Sequence, residues 1–195
     1  AGLTPVITHM KTQGAEQGNT PAVIDMLRQA NAGDKYAATD IYPYTAGLSG
    51  LSSLNVPGWA LAGGREAMLQ RFADPETRAR IIEEVERAMA QRFDGPGGVY
   101  LFQMGRELTD VIDEMNVRPG EAVLRLLEDQ EHAAILRFGK DEDVIDFMQY
   151  ENSAMACDCG ASLEKKGHPR GWGSFPRVLG HYVRDEKALS MEDAI

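Results

Sequence analysis

The 195-residue chain has no run approaching the ~18 consecutive apolar residues that a membrane-spanning helix needs. It has no internal repeat and no low-complexity tract, which argues against solenoids and arrays. It is short of positive charge: 20 Lys and Arg stand against 30 Asp and Glu, a net charge of −10. Such a surface repels phosphate backbones, so nucleic acid is not an expected partner. No signal peptide is visible, and the chain is read as cytoplasmic. Only two cysteines occur, Cys157 and Cys159, and they lack partners at zinc-site spacing. In an extended strand they share one face, where a disulfide would be strained, so they are read as free packing thiols. What remains, 43% hydrophobic, is a soluble globular chain able to bury one sizeable core.

The pattern along the chain is strand, helix, strand. Thr4 to His9 reads as a short strand rich in β-branched residues. Thr20 is expected to cap a helix with Pro21 at its first position; its apolar face is Val23, Ile24, Leu27 and Ala30, and Asn31-Ala32-Gly33 ends it. Tyr36 to Ile41 is the next strand, so the unit is βαβ with parallel strands. From Leu51 to about Gln130 the character turns helical. Asp74 caps a helix carrying Ile81, Ile82, Val85 and Met89, and the run Asp94 to Gly98 breaks it. Gly95, Gly97 and Gly98 suit either a hinge or a passive loop. Further helices follow around Leu108 to Met115 and Val123 to Leu127. Ala133 to Phe138 reads as a short strand and Asp141 to Met148 as a helix. A Ser190-x-x-Asp193 signature announces one more helix.

Three blocks resemble the D-aminoacylase (N-acyl-D-amino-acid deacylase) family of the amidohydrolase superfamily. The first is Ile7-Thr8-His9-Met10-Lys11, at a strand end. The second is Asp40 to Gly47, which follows that family's Asp-x-Tyr-Pro-Tyr-x-Ala-Gly. The third is His168-Pro169-Arg170-Gly171-Trp172-Gly173-Ser174-Phe175-Pro176-Arg177-Val178-Leu179-Gly180. Cys157-Asp158-Cys159-Gly160 stands where the family has Ser-Asp-Gly, and Leu48 where a hydroxyl is common. The resemblance implies an α/β fold, the C-terminal portion of a (β/α)8 TIM barrel with a helical insertion. A whole barrel takes about 250 residues, so the chain is expected to be part of one. The expected division is a barrel segment over 1–50, a helical insertion or lid over 51–132, and a barrel segment over 133–195 with the last strand and the substrate loop.

The chemistry follows from placement. In a parallel barrel the C-terminal strand tips meet at one mouth, where ligands bind. His9 and Asp158 are read as strand-end residues. Taken alone, Asp158 fits a turn or cap as well as a site, and a lone strand histidine is more often structural. The resemblance makes His9 and Asp158 ligands of one or two zinc ions and Asp158 the acid/base as well. It makes Arg170, a planar fork of donors, the anchor of a substrate carboxylate. Lys11 and Tyr42 would line the same pocket. His168, His181 and Arg177 are read as structural, and His132 as solvent-facing.

The expected activity is hydrolysis of the amide bond of N-acyl-D-amino acids. Alternatives are a sister amidohydrolase opening a cyclic amide, dihydroorotase-like, or a non-catalytic partner-binding module. The family's His-x-His pair, bridging Cys and further His do not occur here. The chain alone is therefore expected to be inactive, to need the N-terminal barrel half, and to aggregate or oligomerise.

Overall fold

The computed structural model describes residues 5–32, 36–160 and 167–195. The readings at Thr4 and Gly33 lie outside the described residues. The chain divides into two compact units, Ala1–Thr45 with Gly139–Ile195, and Ala46–Phe138.

The first unit opens with strand β1 (Val6–Ile7), a 3-10 turn at Gly14–Glu16, helix α1 (Thr20–Asn31) and strand β2 (Ala38–Ile41). Val6 pairs with Ala38 in parallel, so the βαβ reading holds. The cap position of α1 falls on Asn19, one residue before the expected Thr20. Thr20 instead donates its hydroxyl to the buried Asp143 carboxylate at 2.5 Å, and Gly18 N–H donates to the same group at 2.9 Å. Burial pushes Asp143 up, but hydrogen bonding from Thr12, Thr20 and Gly18 holds it below the usual carboxylate range.

The second unit is richer in sheet than its helical pattern suggests. It runs β3 (Ala46–Gly50), α2 (Leu51–Asn55), α3 (Gly58–Leu61), α4 (Gly64–Ala73), α5 (Pro75–Arg92), β4 (Val99–Leu101), β5 (Arg106–Glu107), α6 (Leu108–Met115), α7 (Pro119–Asp129) and β6 (Ala133–Arg137). The four strands form an antiparallel sheet in the order β3-β6-β4-β5. Short strands among long helices give little period-2 signal, which is why β3, β4 and β5 escape the sequence. Asp74 does cap α5, accepting from Thr77 N–H at 2.8 Å. Ile81, Val85 and Met89 bury the face of α5 that their spacing marks. His132 contradicts its solvent-facing reading: it is 4% exposed. It leads into β6, which lies between β3 and β4, and its carbonyl accepts from Leu51 N–H at 2.8 Å.

The chain then re-enters the first unit with α8 (Asp141–Gln149), β7 (Ser153–Met155), α9 (Arg170–Arg177), a π-helical continuation (Val178–Asp185) and α10 (Met191–Ala194). Ser190 caps α10, accepting from Asp193 N–H at 3.1 Å, as its signature announces. Strand β7 pairs with β2 in parallel, Ile41 against Met155, so the sheet order is β1-β2-β7. Ile24 and Leu27 of α1, Ile41, Val144 and Phe147 of α8, and Tyr182 form the core of this unit. Three parallel strands therefore finish at one end of the sheet. Among the described residues no helix is long and apolar enough to cross a membrane.

Gly120 sets how closely α7 packs on α5. A Cβ there would lie 2.6 Å from the Ile82 carbonyl oxygen. Gly120→Ala should lower stability by about 2 kcal/mol, the usual cost of overpacking, read as an earlier urea midpoint with an unchanged slope.

Candidate active site

Each parallel strand delivers chemistry just past its C-terminal end. After β1 come His9 and Lys11, after β2 comes Tyr42, and after β7 comes Asp158. His9 has φ 42°, in the left-handed region. Its N–H donates to Asp40 Oδ1 at 2.6 Å, and Met10 N–H donates to the Asp40 carbonyl at 2.8 Å. Asp40 thus pins the turn at the tip of β1. It lies inside the second sequence block yet was not singled out there. Only its position beside β1 reveals the role.

Lys11 Nζ lies 3.3 Å from His9 Nδ1 and 4.6 Å from the centre of the Tyr42 ring. The Arg170 guanidinium, from the first turn of α9, lies 5.0 Å from the same ring. Arg170 Nη1 also meets Asp158 Oδ2 at 2.9 Å. The structure thus brings the five sequence-derived positions, His9, Lys11, Tyr42, Asp158 and Arg170, into one connected cluster. Burial pulls the Lys11 ammonium down to about 8; Asp158 and Asp40 oppose the fall and Arg170 adds to it. Tyr42 is buried and pushed up to about 12, so it stays a neutral phenol.

A second ring of contacts holds the loop after β2. Arg177 Nε donates to the Pro43 carbonyl at 2.7 Å and its guanidinium stacks near Tyr44. His168, buried, meets Tyr44 edge-on, and its Nδ1 accepts from Arg170 N–H at 3.0 Å. Gly173 leaves room for the Tyr44 hydroxyl, which a Cβ would strike. The histidine, arginine and glycine of the third block therefore orient Arg170 and the tyrosine loop.

The free-thiol reading of Cys157 and Cys159 is overturned. They form a disulfide, with Cα atoms 5.1 Å apart, and no cysteine among the described residues is free. The expectation assumed an extended chain. Instead Asp158 turns into the left-handed region at φ 44°, which folds its two neighbours toward each other.

Among the described residues no group of three or more His, Cys, Asp or Glu side chains gathers as a metal site. The cluster offers two donors of suitable chemistry, the His9 imidazole and the Asp158 carboxylate. Any complete coordination sphere would draw further ligands from outside those residues.

No family profile matches the chain. Individual proteins do. It is 29% identical to a D-aminoacylase of Alcaligenes xylosoxydans xylosoxydans over 191 residues, 97% of this chain and 32% of that protein. Its fold matches a crystal structure of D-aminoacylase, described as defining a subset of amidohydrolases, at a TM-score of 0.67 and 24% identity, over 98% of this chain and 33% of the other. It also matches the N-acyl-D-glutamate deacylase of Bordetella bronchiseptica, solved with zinc and a phosphonate mimic of the tetrahedral intermediate, at 0.67 and 22% over 99% and 34%. The resemblance carried by the three blocks is thus borne out. The chain spans about a third of the length of the relatives it matches.

Lys11 is the group whose ionisation the cluster most alters. Its folded value lies below the ordinary one, so the site carries the ammonium charge below about pH 8 and loses it above. Reductive 13C-methylation followed by NMR should show one lysine titrating near pH 8. Removing the opposing charge by Asp158→Asn should move that titration to still lower pH.

Proposed function

We propose that this chain supplies the C-terminal strands and the substrate-carboxylate pocket of a zinc-dependent N-acyl-D-amino-acid deacylase, as part of a (β/α)8 barrel. The observation that carries the reading is the meeting of His9, Lys11, Tyr42, Asp158 and Arg170 at one end of a parallel sheet. The likeness to a D-aminoacylase and to a zinc-bound N-acyl-D-glutamate deacylase supports it.

The substrate class follows from the charges. An N-acyl amino acid has a free carboxylate beside its amide. The Arg170 guanidinium, only 12% exposed, presents donors that match that carboxylate two by two. Lys11 adds a second positive charge, and the neutral Tyr42 hydroxyl adds a donor. Zinc, held in part by His9 and Asp158, would supply a water acid enough to lose a proton near neutrality. Asp158 takes that proton as the water attacks the acyl carbon. As the C–N bond breaks, Asp158 returns it to the leaving nitrogen, giving the free D-amino acid and the carboxylate of the acyl group. Arg170 and Lys11 hold the substrate so that the amide faces Asp158.

This division of labour needs the remaining strands and ligands, so the 195-residue chain by itself is expected to turn over no substrate. The full-length protein should hydrolyse N-acetyl-D-amino acids about 100-fold faster than the L-isomers. Arg170→Met should raise KM about 10- to 100-fold, the loss of a charge-assisted hydrogen bond. Binding should also weaken as pH rises past about 8, where Lys11 loses its charge. Preferential opening of cyclic amides in the same panel, or no hydrolysis of either class after zinc loading, would overturn the reading.

A further inference from the structure

The Cys157–Cys159 bond has no part in the chemistry just described, yet it encloses the residue on which that chemistry turns. It closes a three-residue ring with Asp158 at the centre. Ala156 N–H donates to the Ile41 carbonyl at 2.8 Å and ties the chain to β2 just before the ring. Within the ring Asp158 adopts φ 44°, in the left-handed region that Asp tolerates better than most L-residues and that the short ring closes around. A relaxed, extended segment would alternate its side chains, with both cysteines on one face and Asp158 on the other. In the closed ring the Asp158 carboxylate instead reaches Arg170 at 2.9 Å. Cys159 is an exposed residue, which suits approach by an external thiolate.

We propose that Cys157 and Cys159 are positioning residues that form a reducible clasp: oxidised, it holds the Asp158 carboxylate at the cluster with Lys11 and Arg170, and reduced, it lets the acid swing away. A small dithiol or a dithiol protein supplies the electrons. One of its thiolates attacks Cys159 Sγ, the Sγ–Sγ bond breaks, and Cys157 leaves as a thiolate. The second thiol of the reductant then attacks the mixed disulfide and frees Cys159. The reductant ends as a disulfide, two electrons have passed to the protein, and the two protons the reductant loses end on the cysteine sulfurs. The rate readout of this proposal rests on the deacylase reading; the exchange readout does not.

The test uses the full-length protein, oxidised or reduced with a dithiol, then desalted into zinc-containing buffer without oxygen. Maleimide mass-tagging counts the free thiols in each state. On reduction, kcat for the N-acetyl-D-amino acid should fall about 10- to 100-fold, as expected for a displaced catalytic group, and should recover on reoxidation. KM should change by less than about threefold, since the carboxylate anchor remains. A Cys157→Ser, Cys159→Ser double variant should run at the reduced rate and ignore the dithiol. Hydrogen exchange read by mass spectrometry should rise over residues 168–177 when the wild type is reduced, and should not change in the double variant. Equal rates in both fully tagged states, a double variant at the oxidised rate, or a native protein that tags two thiols and resists oxidation would each overturn the proposal. Where no state hydrolyses any substrate, the deacylase reading fails and exchange decides: unchanged exchange over 168–177 on reduction refutes the clasp.

Discussion

The cluster at the strand tips of the first unit turns on one ion pair, Asp158 with Arg170, set beside the ring of Tyr42. Arg170 is largely removed from water, and an ion so placed is costly unless a counter-charge meets it. Asp158 supplies that charge, and the face of the phenol supplies a further attraction. Lys11 approaches the same ring, so two cations are gathered round one aromatic side chain. Burial first, and then repulsion from Arg170, makes the ammonium give up its proton more readily than a solvated lysine, against the opposing pull of Asp158. The cluster sets two cations, Arg170 and Lys11, against two acids, Asp158 and Asp40.

The pair is reached by topology rather than by sequence proximity. Asp158 and Arg170 come from opposite sides of the loop after β7, and Tyr42 and Lys11 from strands more than a hundred residues away. Parallel pairing of β1, β2 and β7 lets them meet, because parallel strands end on the same side. Asp40 and Asp143 steady the approach, one holding His9 and the other tying the loop after Lys11 to α8. The second unit stands on its own interior. There Arg78 of α5 grips Glu121 of α7 at 2.9 Å and holds that acid below its ordinary range.

Much of this was readable from the residues. The βαβ start, the cap at Asp74, the final cap at Ser190 and the candidate residues all rest on local signals: capping side chains, helical spacing, and motif blocks at strand ends. What the residues did not disclose was non-local. The antiparallel sheet of the second unit is built from strands of two to five residues, too short for a period to register. The burial of His132 depends on where β6 sits in that sheet. The disulfide escapes the sequence because an extended strand through Asp158 does not allow it, and one left-handed residue replaces that geometry. Asp40 was hidden for the same reason: its partner His9 lies 31 residues back along the chain.

The most direct measurement is a crystal structure of the full-length protein soaked with zinc and a non-hydrolysable phosphonate analogue of an N-acyl-D-amino acid. The account places the analogue's carboxylate in two hydrogen bonds to the Arg170 guanidinium, with Lys11 within reach, and the tetrahedral phosphonate beside Asp158. An analogue bound elsewhere, or one whose carboxylate lies away from Arg170 while the Asp158–Arg170 pair stays closed, would contradict it.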